Sequence, residues 1–240
     1  READGDRVDA VVQVAPERPL VDRLAEVLVR GGDDALDPEH GPGALDLTAQ
    51  PPGGGLVALG VVQPPQRLEE AWRAEGLPLD MLRILRHAVQ QEGRVIIPAF
   101  SLGRTQEILF LLDKLRNKGL FAGIKMFVDS PLSNKVTAIV RSHPESFNNA
   151  LQEYLKKDPD PFGFPELTYV GDAEESKGIN DLKEPCVIIS ASGMAEAGRV
   201  KHHLRYNISD ARNTVLLSGY CAPGTLGARL LEGEKTVHIF

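Results

Sequence analysis

The chain is short of cysteine, of aromatic residues and of long apolar runs, and each shortage excludes a class of protein. Two cysteines in 240 residues, Cys186 and Cys221, cannot build a disulfide framework and suit a reducing, cytoplasmic setting. No apolar run approaches the ~18–20 residues that a membrane span needs. No apolar segment follows a basic N-terminus in the manner of a signal peptide. Basic side chains are outnumbered 27 to 34, giving a net charge of −7. That acidity excludes a diffusely basic nucleic-acid coat but leaves room for a local basic groove.

The scarcities are unevenly distributed. Residues 1–78 contain no Lys, Ser, Asn, Ile, Phe, Tyr, Cys or Met, and Trp72 is their only aromatic. They hold 9 Pro and 10 Gly, about a quarter of the stretch, whereas serine alone is normally among the commonest residues. Cut at Gly93, the first part has 9 basic and 17 acidic side chains, net −8, and the remainder 18 and 17, net +1. Pro/Gly enrichment without a period and an acid excess describe a chain that struggles to offset ordering entropy. Two segments stand out there: Val21–Arg30, with Leu24, Val27 and Leu28 at helical spacing before Gly31-Gly32, and Leu56–Val62, readable as a short strand. The stretch 33–65 otherwise carries turn signals. Residues 1–78 read either as a flexible acidic arm or as the wrong reading frame of a GC-rich gene, which would restrict the alphabet in this way.

From Leu79 the pattern becomes regular, and 79–240 reads as one α/β domain. Helices are predicted at Leu79–Glu92, Arg104–Lys118, Leu132–Ser142, Pro144–Lys157, Gly198–Asn207 and Thr225–Glu232. Strands are predicted at Arg94–Ala99, Ile124–Val128, Leu167–Val170, Cys186–Ser190, Thr214–Ser218 and Thr236–Phe240. Strands alternating with helices predict a mainly parallel, doubly wound sheet with flanking helices.

Four of these strands end in Ser/Gly punctuation: Phe100-Ser-Leu-Gly-Arg104, Asp129-Ser-Pro131, Ala191-Ser-Gly-Met194 with Gly198-Arg199, and Gly219-Tyr-Cys-Ala-Pro-Gly224. Ligands of open α/β sheets bind beyond the carboxyl ends of the strands, and a Ser/Gly loop entering a helix offers free N–H groups to an anion. Arg104 and Arg199, near helix starts, oppose the local dipole and suit a neighbouring phosphate. No loop is a Walker A or GxGxxG sequence, so a nucleotide cofactor is not indicated. Asp129 is placed either to orient the groove or to cap the helix after it. The adjacent His202 and His203 point about 100° apart on a helix, so one faces inward, the other faces solvent, and they cannot share an ion. His87, His143 and His238 read as structural or surface residues, and Cys186 as core.

PAFSLGRTQEILFLL (Pro98–Leu112), FVDSPLS (Phe127–Ser133), ISASGMAEAGRVKHHL (Ile189–Leu204) and NTVLLSGYCAPGTLGARLLEG (Asn213–Gly233) occur in that order. Together they resemble the β-CASP region of the metallo-β-lactamase-fold RNA-processing nucleases. The resemblance implies a cap domain inserted in a zinc hydrolase domain, with single-stranded RNA threading between them. It places Ser101, Gly103, Arg104, Ser130, Ser192, Gly193, Arg199, Tyr220 and Gly224 on or beside the RNA-facing side, and leaves a homodimer open.

The departures are equally specific. The family uses a His-x-His-x-Asp-His cluster, a further His and an Asp to hold two zinc ions, and this sequence has no such cluster. The family's acidic strand-end motif finds at best a shadow in Glu2–Arg7, and two later histidine motifs would fall beyond Phe240. The expectation is therefore a nuclease fragment that keeps the RNA-guiding domain, holds no metal or cofactor of its own and does not cut RNA alone. The alternative is a non-catalytic RNA- or phosphate-binding α/β module.

Overall fold

The computed structural model describes residues 7–9, 11–14, 27–30, 78–121, 123–234 and 236–240. The strand expected at Leu56–Val62, the turn-rich stretch 33–65 and most of the helix expected at Val21–Arg30 lie outside the described residues. The described end of that last segment is a strand instead of a helix. Val27–Arg30 (β3) pairs antiparallel with Val11–Val14 (β2) on one side and with the later strand Thr214–Leu216 (β8) on the other. A four-residue VLVR run with two β-branched valines suits a ladder better than an isolated turn of helix.

Helix α1 (Leu79–Gln90) precedes β4 (Arg94–Pro98), and α2 (Arg104–Asn117) follows it. Then come β5 (Lys125–Val128), α3 (Pro131–Arg141), a single 3-10 turn (Pro144–Ser146), α4 (Asn149–Leu155) and β6 (Leu167–Tyr169). The chain continues through α5 (Ala173–Ile179), β7 (Cys186–Ser190), α6 (Arg199–Asn207), β8, α7 (Leu226–Leu231) and β9 (Thr236–His238). The main sheet has the order β2-β3-β8-β4-β7-β5-β6, with β8 to β6 all parallel.

The sheet is wound on both faces because the two central strands alternate. Val95 and Ile97 of β4, with Val187 and Ile189 of β7, pack under Leu82, Leu85, Ile108, Leu109 and Leu112 of α1 and α2. Ile96, Cys186 and Ile188 face the other way, onto Val200 and Leu204 of α6 and Leu226 and Leu230 of α7. A strand buried on both sides must be apolar throughout, which is why VII and CVII carry no polar alternation. The mainly parallel, doubly wound expectation therefore holds.

Two further expectations need correction, and one helix carries no sequence signal. The helix expected over Pro144–Lys157 is broken, because Asn148 is extended and its side chain accepts the Leu151 N–H (2.9 Å), starting α4 afresh. Helix α5 was unmarked by periodicity; the Asp172 side chain caps it at Glu175 N–H (2.8 Å). Strand β9 ends at His238 and pairs antiparallel with β1 (Arg7–Asp9) in a separate two-stranded sheet.

Candidate functional site

The order β4-β7-β5 places three of the four Ser/Gly loops side by side at the carboxyl ends of adjacent strands. They enclose a groove of about 740 Å³, lined by Phe100, Ser101 and Leu102 after β4, Ser130, Pro131 and Leu132 after β5, and Ala191, Ser192, Ala197, Gly198 and Arg199 after β7. Of the nine residues expected at the site, Ser101, Ser130, Ser192 and Arg199 line it. Gly103 and Arg104 stand just behind it at the start of α2, and Gly193 lies beneath the Phe100 ring. Tyr220 and Gly224 lie outside the lining, since β8 sits across β4 from the groove; Tyr220 is exposed and Gly224 turns the chain at φ +82°.

Each loop is held by a helix that follows it. Gln106 of α2 donates from Nε2 to the Ser101 carbonyl (3.1 Å) and to Thr137 Oγ1 (2.8 Å), while its Oε1 accepts the Gly103 N–H (2.8 Å). The Thr105 hydroxyl donates to the Phe100 carbonyl (2.8 Å). Ser130 caps α3 by accepting the Ser133 N–H at 3.2 Å, and its Oγ lies 3.5 Å from Ser101 Oγ. Ser192 Oγ accepts from Glu196 N–H (3.2 Å) and Ala197 N–H (3.1 Å), closing the loop after β7. Gly198 enters α6 at φ +80°, where a Cβ would come 2.3 Å from the Ala191 carbonyl oxygen, so only glycine fits.

Behind the groove lies a buried polar hub that sequence reading reached only in part. Asp129, with no exposed side-chain surface, accepts from Arg199 Nη1 (2.6 Å) and from the Ser176 hydroxyl (2.5 Å), and its Oδ2 lies 2.6 Å from His203 Nε2. Burial alone would raise the Asp129 pKa, but hydrogen bonds from His203, Ser176 and Arg199 together hold it below the ordinary carboxylate value. His203 is itself fully buried, with Nδ1 3.1 Å from Asn180 Oδ1. Asn207 Nδ2 donates to the same Asn180 oxygen (2.9 Å), and Arg94 reaches Asn207 and the Asn180 carbonyl. Of the two readings of Asp129, it is the orienting one that the geometry supports, since Ser130 is the cap. His203 is the inward histidine of its pair; His202 is exposed and its ring meets Phe240 at a tilt of 43°, with centroids 4.9 Å apart.

The two arginines have carboxylate partners within the chain. Arg199 is divided between Asp129 and the Gly171 carbonyl (Nη2, 3.0 Å), and Arg104 pairs with the exposed Glu107 at 2.7 Å. The unfavourable dipole position of Arg199 at the start of α6 is thus offset by a buried carboxylate. Ser176 and Asn180 gave no sequence signal, because they lie on the short α5 and at its C-terminal cap. Phe100, Leu102 and Leu132 were inside the quoted motifs but had no role there. Both cysteines are free and buried, and burial raises the Cys186 thiol to about 11.

Among the described residues no group of three His, Cys, Asp or Glu side chains is arranged to hold a metal ion. His203 and Asp129 are bonded to each other and shielded from the groove, so the described donors do not fit a two-zinc centre. No described helix is long and apolar enough to cross a membrane.

The Beta-Casp domain family matches residues 105–230. The transcription termination factor FttA of Methanosarcina mazei is 33% identical over 155 residues, 64% of this chain and 24% of that protein. A ribonuclease of Thermus thermophilus is 33% identical over 160 residues, 67% of this chain and 37% of its own. The cleavage and polyadenylation specificity factor 73 of Drosophila melanogaster is 31% identical over 158 residues, 64% of this chain and 22% of its own. The chain thus spans about a quarter to a third of the length of these relatives. With a match over half its length and all four loops inside or beside it, the chain belongs to the β-CASP family of metallo-β-lactamase-fold RNA-processing nucleases.

Proposed function

We propose that this chain is the RNA-guiding β-CASP domain of a nuclease, and that single-stranded RNA lies along the groove at the ends of β4, β7 and β5. The observation that carries the reading is the convergence of three Ser/Gly loops on one edge of the sheet, inside a family with a named ribonuclease. The residues at that edge bind and orient. Hydroxyls of Ser101, Ser130 and Ser192 offer donors toward a phosphate oxygen, and the Asp129–Arg199–His203 hub fixes the walls that carry them.

In this family two zinc ions supply a metal-activated water and a clamp on the phosphate when bound. The described residues provide no donor set for them, so no step of hydrolysis is assigned to this chain. We therefore propose that the chain binds RNA without cutting it. Residues 79–240 form the binding unit. The test is a single-stranded RNA oligonucleotide incubated with the chain and zinc, read by both electrophoretic retardation and cleavage. Binding without cleavage is expected. Zinc-dependent cleavage abolished by EDTA would overturn the non-catalytic part, and absence of retardation would overturn the RNA-guiding part.

A further inference from the structure

The groove is less suited to phosphate than its Ser/Gly loops suggest. Among the described residues that line it, the one charged side chain is Arg199, and that guanidinium is already divided between Asp129 and the Gly171 carbonyl. Apart from the hydroxyls of Ser101, Ser130 and Ser192, the rest of the lining is apolar. Phe100, Leu102 and Leu132 are 45%, 70% and 60% exposed, and they gather at this groove from two different loops. Single exposed apolar residues need no explanation, but several converging on one concave site mark a contact surface.

The aromatic member is held in place before any ligand arrives. The Phe100 ring lies against Gly193, where a Cβ would come within 2.7 Å of the ring carbon Cδ2, so only glycine leaves room for the ring there. The Phe100 carbonyl accepts from both the N–H (3.2 Å) and the hydroxyl (2.8 Å) of Thr105. A half-exposed ring packed on a glycine is a stacking platform, and base–aromatic stacking is tolerant of sequence because every base has a π-face. Leucines on either side supply apolar contact to a base edge without selecting among bases.

Building on the RNA reading above, we propose that this groove holds a nucleobase, stacked on Phe100 and flanked by Leu102 and Leu132, in place of a phosphate. The neighbouring phosphate meets the hydroxyls of Ser101, Ser130 and Ser192. Ser130 and Ser192 already use their oxygens as acceptors and keep their hydroxyl protons to donate. Recognition of this kind is insensitive to base identity. It is also only weakly dependent on salt, since the log–log slope is about −0.7 per phosphate neutralised on a single strand.

The experiment compares a uridine tetranucleotide with the same ribose-phosphate chain lacking its bases, both fluorescently labelled, by polarisation against the whole chain. The wild type is expected to bind the base-bearing strand about tenfold or more tightly, within the range of one base–aromatic stack. Phe100→Ala removes that preference, whereas Phe100→Trp retains it. Equal wild-type affinity for the two strands would overturn the proposal while leaving RNA guidance intact, and needs no variant to fold. Failure of the wild type to bind either strand would overturn the RNA reading and this proposal with it. Self-association of the wild type that Phe100→Ala abolishes, without a base preference, would overturn the proposal in favour of a protein-covered face.

Discussion

Replacing Asp129 with alanine tests whether the hub holds the groove together. In the wild type this carboxylate is fully buried and serves Arg199 Nη1 at 2.6 Å, His203 Nε2 at 2.6 Å and the Ser176 hydroxyl at 2.5 Å. His203 is as buried as Asp129, and Arg199 is 22% exposed. Removing the carboxylate therefore strands one fully buried polar group and one mostly buried cation. Breaking a buried pair from one side costs about 3–5 kcal/mol, and Asp129→Ala should fall in that range at pH 7. With a urea slope of ~2–3 kcal/mol per molar, the unfolding midpoint should drop by about 1–2.5 M with little change in slope. Arg199→Ala should cost less, because part of that side chain already meets water. The Asp129 pKa is lowered in the folded state, so its contribution is present above the ordinary carboxylate pKa and is lost as pH falls through the folded value. The gap between wild type and Asp129→Ala should accordingly narrow below about pH 4. A cost below about 1 kcal/mol at pH 7, or a gap unchanged at pH 3, would refute the hub.

Other predictions address separate parts of the molecule. Gly193→Ala forces a Cβ to within 2.7 Å of the Phe100 ring; overpacking of this kind costs about 1–3 kcal/mol. Thermal unfolding should register that loss, and the displaced ring should weaken RNA binding in the polarisation assay. Gln106→Ala removes two donated bonds and one accepted bond around Ser101 and Gly103. It should destabilise by about 1–3 kcal/mol, since buried partners are left unsatisfied, as measured by urea unfolding. Burial raises the Asp113 pKa to about 6, aided by Asp158 and opposed by the Tyr154 hydroxyl. The stability from keeping Asp113 protonated is full below about pH 4 and is lost as pH rises through about 6, and Asp113→Asn should flatten that limb of the stability–pH curve. For residues 1–78, reading the coding DNA in its other two frames should yield a sequence of ordinary composition; a composition as restricted in every frame would favour an acidic arm.

Much of the domain's architecture was legible because its elements are long or buried on both sides. The helix Arg104–Lys118 was anticipated to within one residue of α2, and Cys186–Ser190 coincides with β7. Short elements were not legible. Helix α5 is seven residues long with Gly178 near its end, too brief for a period to show, and it depends on Asp172 for its cap. Pro144 suits the first turn of a helix, but Asn148 restarts the helix by capping Leu151, a local bond that outcompetes continuation. Val27 and Leu28 fit a helical spacing until the neighbouring strands β2 and β8 offer them a ladder.

The sequence by itself determined the two-part character of the chain, the apolar strands and the Ser/Gly loops that end them, because composition and periodicity are local properties. Four ordered motifs marked those loops, but not which of them would become neighbours. Only the tertiary structure decided what the site is made of. The strand order β4-β7-β5 brings three loops together and leaves Tyr220 and Gly224 outside the groove. Partners 70 residues apart, Arg199 and Asp129, satisfy each other instead of an outside phosphate. Charge pairing across the fold is invisible to spacing, since it depends on which strand ends become neighbours. The same geometry leaves Phe100, Leu102 and Leu132 exposed around one concavity, turning a groove expected to be electrostatic into one whose walls are chiefly apolar.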